Sequence, residues 1–254
     1  MNSDSEEEEE LPYEIGEAAS QGDFERVKAW LAGGRSVDDR DDTDWTLLHW
    51  TTTSDQLGPE HVEFARYLIS QGVRLNAPSL STKKTALHYA CDNTSAELVS
   101  VLVAAGAAVN QLSRDGHTPL FSIDLVCEST LDIVTILLRA GASLDSSTRS
   151  FEEHLNRIDD DLDDDHHRYI GEIGNLVASV RAAGSWKAHC RLAHKEVLRL
   201  RSLVARGRVK LPSRSRRRSP RGRDARQKRA LEFVVRQGDN GIVWHILSFW
   251  RETA

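Results

Sequence analysis

The chain has few of the residues that mark secreted, membrane-spanning or metal-binding proteins. Among 254 residues there are only 3 cysteines, 6 prolines and 1 methionine. Cys91, Cys127 and Cys190 lack the spacing of a zinc site or a disulfide framework. No apolar run approaches the length of about 18 residues that a membrane helix needs, and the N-terminus carries five glutamates in place of a signal sequence. These absences predict a protein of the reducing cytosol or nucleus that does not cross a membrane.

Motifs for catalysis and cofactor binding are also missing. Gly33 and Gly34 are not followed by the Lys-Ser/Thr pair of a phosphate-binding loop. The stretch 163–167 (Asp-Asp-Asp-His-His) carries metal-binding side chains, but a polar loop does not hold ligands in a fixed geometry. His189 and His194 are interpreted as surface positions of one helix. Because no hydroxyl, thiol or carboxylate has a partner at the spacing of a nucleophile motif, we predict no enzyme activity, no cofactor and no metal.

Charge is divided unevenly along the sequence. Residues 1–185 carry 14 basic and 34 acidic side chains, a net charge of −20, whereas residues 186–254 carry 19 and 5, a net charge of +14. Acidic runs at 6–10 and 159–165 and a basic run at 214–229 are typical of solvated, disordered segments. Opposite charge could also fold the basic segment back onto the acidic part of the protein.

One short motif recurs along the first half of the sequence. Thr85–Ala90 reads T-A-L-H-Y-A; T-P-L-F follows 33 residues later at Thr118–Phe121, and T-L-L-H precedes it by 39 residues at Thr46–His49. The threonine is suited to a helix N-terminus, and Pro119 to the first helical position. Each unit also ends an amphipathic run with a glycine suited to a left-handed C-terminal residue, namely Gly34, Gly72, Gly106 and Gly141.

In this register the sequence resembles the ankyrin repeat family, whose pattern includes T-P-L-H-x-A. The resemblance covers about residues 11–150 and implies an all-α solenoid of stacked helix pairs, with Leu48, Leu87 and Leu120 pointing into the stack. It further implies that the box histidines tie neighbouring units together by hydrogen bonds. His49 and His88 match the family histidine, whereas position 121 is phenylalanine.

The shared register gives the expected domain organisation. An acidic disordered tail is expected at residues 1–10, and a degenerate fifth repeat or cap with an acidic loop at 151–185. An apolar stripe from Tyr169 to Val180, followed by Arg-Ala-Ala-Gly ending at Gly184, favours this fifth unit. The four repeats are expected at about 11–43, 44–83, 84–116 and 117–150, followed by a basic helical extension at 186–254.

The resemblance implies a non-catalytic scaffold that binds a protein partner across loop tips and first helices, and that is monomeric when free. The candidate contact residues at the loop tips are Arg40, Asp42, Ser79, Lys83, Ser113, Arg114 and Arg149. Those on the first helices are Trp50, Thr53, Tyr89, Asp92 and Ser122. Trp50 and Tyr89 are the leading anchors, because aromatic residues often dominate interface energy, but packing between adjacent units explains them equally well. The acidic charge of the stack favours a basic partner.

The C-terminal extension allows several interpretations. Helices are expected at 193–206, 225–236 and 242–251, with a disordered linker at 207–224. The last helix is rich in large apolar side chains. It either packs against helix 193–206, forming a small helical unit or sealing the repeat stack, or docks on another protein.

The sequence from Leu200 to Arg206 also loosely resembles the first part of a SOCS box, although Val204 stands where that box has cysteine. The alternative function is therefore a substrate-recruiting adaptor of a ubiquitin ligase. Nuclear regulation is a further alternative, because a basic cluster resembles a nuclear import signal; it consists of Arg214, Arg216, Arg217, Arg218, Arg221 and Arg223. Specific nucleic-acid binding is not expected, since no interleaved aromatic residues accompany the cluster.

Overall fold

The computed structural model of the protein describes residues 10–54, 57–125, 127, 129–156 and 164–205. Within these ranges it contains ten α-helices, one 3₁₀ helix and no β-strand. The helices are α1 Tyr13–Ser20, α2 Phe24–Ala32, α3 Leu47–Thr52, α4 Pro59–Ser70, α5 Ala86–Asp92, α6 Ala96–Ala104, the 3₁₀ helix Pro119–Ser122, α7 Thr130–Arg139, α8 Phe151–Leu155, α9 Asp164–Ala183 and α10 Trp186–Ala205. The predicted all-α class is confirmed.

The helices up to α9 form five consecutive pairs that stack on one another. First helices contact first helices, in the order α1, α3, α5 and the 3₁₀ helix, and second helices contact second helices from α4 through α6 and α7 to α9. Thr46, Thr85 and Thr118 each immediately precede the first helix of their unit. The three motifs therefore occupy equivalent positions, as the sequence predicts.

A continuous apolar core runs through this stack because each unit contributes the same buried positions. Leu48, Leu87 and Leu120 are at most 1% exposed, as predicted. Leu68 and Leu102 of the second helices are fully buried behind them. Complete burial of one such side chain stabilises the fold by about 1.5–3 kcal/mol. A single helix pair cannot cover its own apolar face, so each unit depends on its neighbours for this burial.

The glycines that close the units have the predicted left-handed backbone. Gly72 and Gly106 have φ of 85° and 95°, a region that only glycine enters without strain. Gly34 and Gly141 are equivalent, and Gly184 repeats the feature after α9 with φ of 81°.

The fifth pair, α8 and α9, is held to the fourth unit by apolar and ionic contacts. Ile173 and Val177 of α9 are fully buried. The Arg181 Nη2 donates to Asp145 Oδ1 at 2.8 Å and to Glu152 Oε2 at 2.7 Å. These hydrogen bonds hold the pKa of both carboxyl groups below its ordinary value and raise the pKa of the guanidinium.

The fourth unit departs from the predicted helix pair at its first helix. Residues 119–122 form a single 3₁₀ turn, and Ile123 is already extended, with ψ of 131°. Position 121 is phenylalanine, which cannot accept a hydrogen bond from the threonine amide as histidine does. The Thr118 hydroxyl is buried without a hydrogen-bond partner in the part of the protein that the structure describes.

The protein divides into two compact units, residues 1–186 and 187–254. Of the second unit the structure describes only the part of α10 that runs from Lys187 to Ala205. This helix starts seven residues before the predicted helix at 193–206, since no proline or glycine occurs between residues 185 and 206. The acidic tail, the linker at 207–224, the helices at 225–236 and 242–251, and the basic cluster all lie outside the described residues.

Candidate functional site

Histidines join successive units through backbone carbonyl groups. The Thr46 amide donates to His49 Nδ1 at 3.1 Å, so this nitrogen is an acceptor and the ring proton is on Nε2. His49 Nε2 therefore donates to the Lys84 carbonyl at 3.3 Å, one unit further along. The Thr85 amide and His88 repeat the arrangement, with the His117 carbonyl as acceptor. The tying role implied by the family resemblance is confirmed for both histidines.

Burial sets the protonation of these two side chains. It lowers the pKa of His49 to about 4, and it lowers the pKa of His88 to about 4 as well. Both rings are at most 1% exposed and already use both nitrogens. They are therefore neutral structural groups, and neither is available to act as a general base on a ligand.

A second set of hydrogen bonds crosses between units near the end of each repeat, just after the closing glycine. A side-chain oxygen accepts from the backbone amide two residues after the closing glycine of the next unit. The bonds run from Arg74 N to Asp38 Oδ1 at 2.7 Å, from Ala108 N to Asn76 Oδ1 at 2.7 Å and from Ser143 N to Asn110 Oδ1 at 2.8 Å. In the fourth unit Asp145 takes the same position and binds Arg181 instead.

Backbone hydrogen bonds also connect the loop tips. The Leu80 amide donates to the Thr43 carbonyl at 3.0 Å, and the Arg114 amide donates to the Thr82 carbonyl at 2.7 Å. The tips are therefore fixed relative to one another, so side chains on successive tips form one surface with the first helices.

Asp41 organises the loop tip that precedes the second unit. Its Oδ1 accepts from the Thr43 amide at 2.8 Å, the Thr43 hydroxyl at 2.7 Å and the Trp45 amide at 2.9 Å. Its Oδ2 accepts from the indole Nε1 of Trp50 at 2.9 Å. One carboxylate thus fixes both the turn and an aromatic side chain of the first helix.

Four aromatic side chains form a row across the first three units, in the order Tyr13, Trp50, Trp45 and Tyr89. Neighbouring ring centroids lie 5.5, 5.2 and 5.1 Å apart. Tyr13 is 64% exposed, and the other three are partly exposed. We call these four residues the aromatic row. These rings pack between neighbouring units, and they also present apolar surface to solvent.

Close contacts with neighbouring residues fix the side chains of the aromatic row. Gly16 lies so close to Trp50 that a Cβ atom there would come within 2.5 Å of the indole Cε2. The Tyr89 hydroxyl lies 3.2 Å from the Thr82 hydroxyl. The Lys84 ammonium lies 5.5 Å from the centroid of the Tyr89 ring and 3.1 Å from Asp92.

Charged side chains of both signs lie at the loop tips. At the tip that precedes the second unit, Asp42 is exposed and Asp44 forms an ion pair with Arg40 at 3.6 Å. Lys83 and Arg114 are exposed at the next two tips, and Arg149 is partly exposed in the fifth. The acidic charge of the stack is therefore interrupted by basic side chains at these tips.

Neither a metal cluster nor a membrane-spanning helix occurs in the described part of the protein. No group of three or more histidine, cysteine, aspartate or glutamate side chains in those ranges could hold a metal ion. No helix among the described residues is both long and apolar enough to span a membrane.

Comparison with known proteins agrees with this architecture. A family model described as ankyrin repeats (3 copies) matches residues 15–112 and 60–148, together more than half of the chain. The chain belongs to the ankyrin repeat family. Ankyrin repeats are scaffolds for protein–protein interaction, and the family is generally non-catalytic.

Curated relatives share only part of their length with this ankyrin repeat protein. A fowlpox virus protein named putative ankyrin repeat protein FPV031 is 34% identical over 36% of this chain and 26% of its own length. Human ankyrin repeat and SOCS box protein 16 is 32% identical over 37% and 20%. Protein glp-1 of Caenorhabditis elegans is 28% identical over 40% and 8%. The chain therefore spans about a quarter or less of these relatives.

The predicted contact residues of the ankyrin stack differ in accessibility. Asp42, Lys83, Asp92 and Arg114 are exposed, and Arg40, Trp50, Thr53, Tyr89, Ser122 and Arg149 are partly exposed. Ser79 and Ser113 are only 1% and 7% exposed, which corrects their predicted place on the accessible surface. Their hydroxyl groups stabilise the hairpins internally: Ser79 pairs with Thr82, and Ser113 accepts from the His117 amide.

Sequence reasoning missed Tyr13, Asp41 and Trp45. Trp45 directly precedes the box threonine, so the shared register places it on the tip and could have identified it. Asp41 precedes that threonine by five residues, and its contact with Trp50 follows only from the folded turn. The basic cluster proposed as an import signal lies outside the described residues.

Proposed function

We propose that the aromatic row and the neighbouring loop tips bind an extended segment of a protein partner. The observation that carries this proposal is the row itself, since four aromatic side chains from three units meet and remain partly exposed. Large aromatic side chains bury much area on binding at little entropic cost when they are already ordered.

The fixed geometry of the row favours binding over a purely structural role. Trp50 is held by Asp41 and by close contact with Gly16, so its indole loses little conformational freedom when a ligand covers it. Tyr13 is the most exposed member and makes one aromatic contact, to Trp50. Packing between units alone does not require a 64% exposed aromatic ring at the end of the row.

The charge around the row indicates the chemistry of the segment that lies there. Asp42 is exposed and close in sequence to Trp45, whereas Asp44 already forms an ion pair with Arg40 at 3.6 Å. A lysine or arginine side chain placed over an indole face would gain cation–π attraction as well as the attraction of the Asp42 carboxylate. We therefore propose that the part of the ligand over the first two units is basic. Its association rate should fall as salt is raised, because exposed charges are screened.

Affinity capture with the full-length protein and matched variants tests this proposal. Tyr13→Ala and Tyr89→Ala remove exposed parts of the row, and Tyr67→Ala on α4 removes a partly exposed aromatic side chain outside it. A partner captured by the wild type and by Tyr67→Ala should be depleted from both row variants. Equal recovery of every captured protein by all four forms, each checked for folding by circular dichroism, would refute the proposal.

A second proposed function is a ubiquitin-ligase adaptor, in which the repeats hold a target and the C-terminal segment recruits the ligase. It is favoured by the SOCS-box-like sequence from Leu200 to Arg206 and by the SOCS box in the name of one human relative. Capture with the full-length protein should then recover an elongin or a cullin, and Leu200→Ala together with Leu203→Ala should remove it. Recovery of neither protein would count against the adaptor.

We also propose that the protein is cytoplasmic and nuclear, with the basic cluster acting as the import signal. The triple substitution of Arg216, Arg217 and Arg218 by alanine should abolish nuclear accumulation. An unchanged distribution of the variant would contradict this localisation.

A further inference from the structure

An open cleft of about 610 Å³ lies between the tip of the fourth unit and α8, away from the aromatic row. Its lining residues are His117, Thr148, Arg149, Glu153 and Asn156. We call it the Arg149 cleft. It belongs to the same side of the stack as the loop tips, because His117 precedes the Thr118 box as Trp45 precedes the Thr46 box.

The guanidinium group of Arg149 lines the cleft, and not all of its N–H groups form hydrogen bonds. Its amide donates to Ser146 Oγ at 3.1 Å, which fixes the backbone. Its Nη2 lies 3.3 Å from His117 Nε2, a long contact to an imidazole nitrogen. Its Nε is buried and has no hydrogen-bond partner among the described residues. No carboxylate there forms an ion pair with this guanidinium, so its charge is not neutralised by a direct partner.

His117 is a weak partner for this cation. Burial, followed by the charge of Arg149, lowers the pKa of His117. The neutral ring accepts from Arg149 at Nε2, and it also stacks on Phe121 with centroids 6.1 Å apart. A carboxylate is the stronger acceptor, since hydrogen bonds between charged groups are roughly twice as strong as those between neutral groups.

We propose that the Arg149 cleft binds a carboxylate of the protein ligand, from an aspartate, a glutamate or the terminal carboxyl group of a peptide. This inference rests on the proposed function in one respect: the carboxylate belongs to the same protein segment that binds along the aromatic row. The two oxygens of a carboxylate match the fork formed by Nε and Nη2 of an arginine. Binding requires Arg149 to change its side-chain rotamer, so that Nε becomes accessible and the guanidinium exchanges His117 for the ligand, which satisfies the unpaired Nε–H.

The other residues of the cleft favour a carboxylate over a phosphate group. Glu153 lines the wall, and its Oε2 accepts from the Ser150 amide at 3.4 Å. The single guanidinium can pair with one carboxylate, and the negative charge of Glu153 makes a second negative charge on the ligand, as on a phosphate dianion, unfavourable. Thr148 and Asn156 add neutral hydrogen-bonding groups. The ligand is thus expected to be basic near Asp42 and acidic near Arg149, which sets its direction along the stack.

Nuclear magnetic resonance of the full-length protein tests this site with a defined probe, the N-acetylated, C-amidated hexaglutamate peptide. Titration should shift the side-chain Nε–H resonance of Arg149 and the imidazole resonances of His117. Arg149→Lys keeps the charge but removes the fork, and should weaken binding about tenfold, the loss of one charge-assisted hydrogen bond. Glu153→Gln should strengthen binding, and Arg66→Lys on α4 is the matched control and should leave it unchanged.

Two results would overturn the proposal. One is the absence of a shift at Arg149 and His117 while the peptide is raised to millimolar concentration. The other is a shift that phosphate reproduces and Arg149→Lys leaves intact, which would indicate non-specific anion binding. Loss of capture by Tyr13→Ala and Tyr89→Ala is measured separately, so failure of the cleft would not be mistaken for failure of the aromatic row.

Discussion

His88 Nε2 lies 3.2 Å from the carbonyl oxygen of His117, 29 residues further along the sequence. The contact joins the third unit to the fourth through a neutral ring, and His49 makes the equivalent contact between the second and third units. In both rings Nδ1 accepts a hydrogen bond from a threonine amide. Protonation of Nδ1 would therefore break the hydrogen bond at the start of the helix.

The first prediction is a loss of stability in mild acid. The pKa of each histidine is about 4 in the folded protein and near 6.5 when exposed. Between these values the unfolded protein binds protons that the folded protein does not, so the free energy of unfolding falls as pH falls from 6.5 to 4. Each histidine contributes a loss of about 3 kcal/mol across this range.

Urea unfolding at several pH values measures this effect. His49→Gln and His88→Gln should have lower stability at neutral pH and a shallower dependence on pH than the wild type. A wild-type free energy of unfolding that stays constant between pH 6.5 and 4.5 would contradict the assignment of two buried neutral rings.

The second prediction concerns Asp41. Asp41→Ala removes the acceptor of four hydrogen bonds and should destabilise the protein by about 2–3 kcal/mol. Asp41→Asn replaces Oδ2 by a donor that cannot accept from Trp50, so it should weaken partner binding more than it lowers stability. Asp42→Ala, at the exposed neighbouring position, should change stability by less than about 0.5 kcal/mol. Thermal unfolding and capture assays on the three variants distinguish these effects.

The third prediction concerns the contacts between repeats made by Asn110. Its Oδ1 accepts from the Ser143 amide and its Nδ2 donates to the Gly141 carbonyl. Asn110→Ala should lower the free energy of unfolding by about 1–2 kcal/mol. Asn110→Asp keeps the acceptor, as Asp38 does in the first unit, and should cost less. Gln111→Ala, at the exposed neighbouring position, is the control. If both Asn110 substitutions changed the free energy of unfolding as little as this control, these hydrogen bonds would have no role in stability.

The fourth prediction compares two glycines within helices. Gly16→Ala and Gly174→Ala both gain about 1 kcal/mol of helix propensity. A Cβ at Gly16 would displace Trp50, whereas nothing lies within 4 Å of a Cβ at Gly174. Gly174→Ala should therefore raise the melting temperature, and Gly16→Ala should not, while it also impairs capture of a partner. Equal stabilisation by both would show that the position of Trp50 is not constrained by α1.

The sequence predicts the fold well because repetition provides several independent observations of one register. Thr46, Thr85 and Thr118 fix the helix starts, and the glycines fix the ends. The same register predicts Leu48 and Leu87 as core residues. These features depend on local backbone geometry and period, both of which a single sequence contains.

The surface is harder to predict, because it depends on which side chains meet after folding. Trp50 and Tyr89 can be proposed from register, but the link between them is Trp45, which precedes the helix. Ser79 can be proposed from its place at a loop tip, but after folding its hydroxyl pairs with Thr82 inside the hairpin and is not available to a ligand. The Arg149 cleft combines two units and cannot be read from either one alone.

Site-specific photo-cross-linking tests the central claim most directly, namely that the aromatic row is the face that holds a protein partner. Benzoylphenylalanine is placed at Tyr13, at Tyr89 or, as control, at Tyr67 of α4 in the full-length protein, and cross-linked proteins are identified by mass spectrometry. We predict that Tyr13 and Tyr89 cross-link the same protein and that Tyr67 does not. A partner that cross-links from Tyr67 and from neither row position would contradict the account.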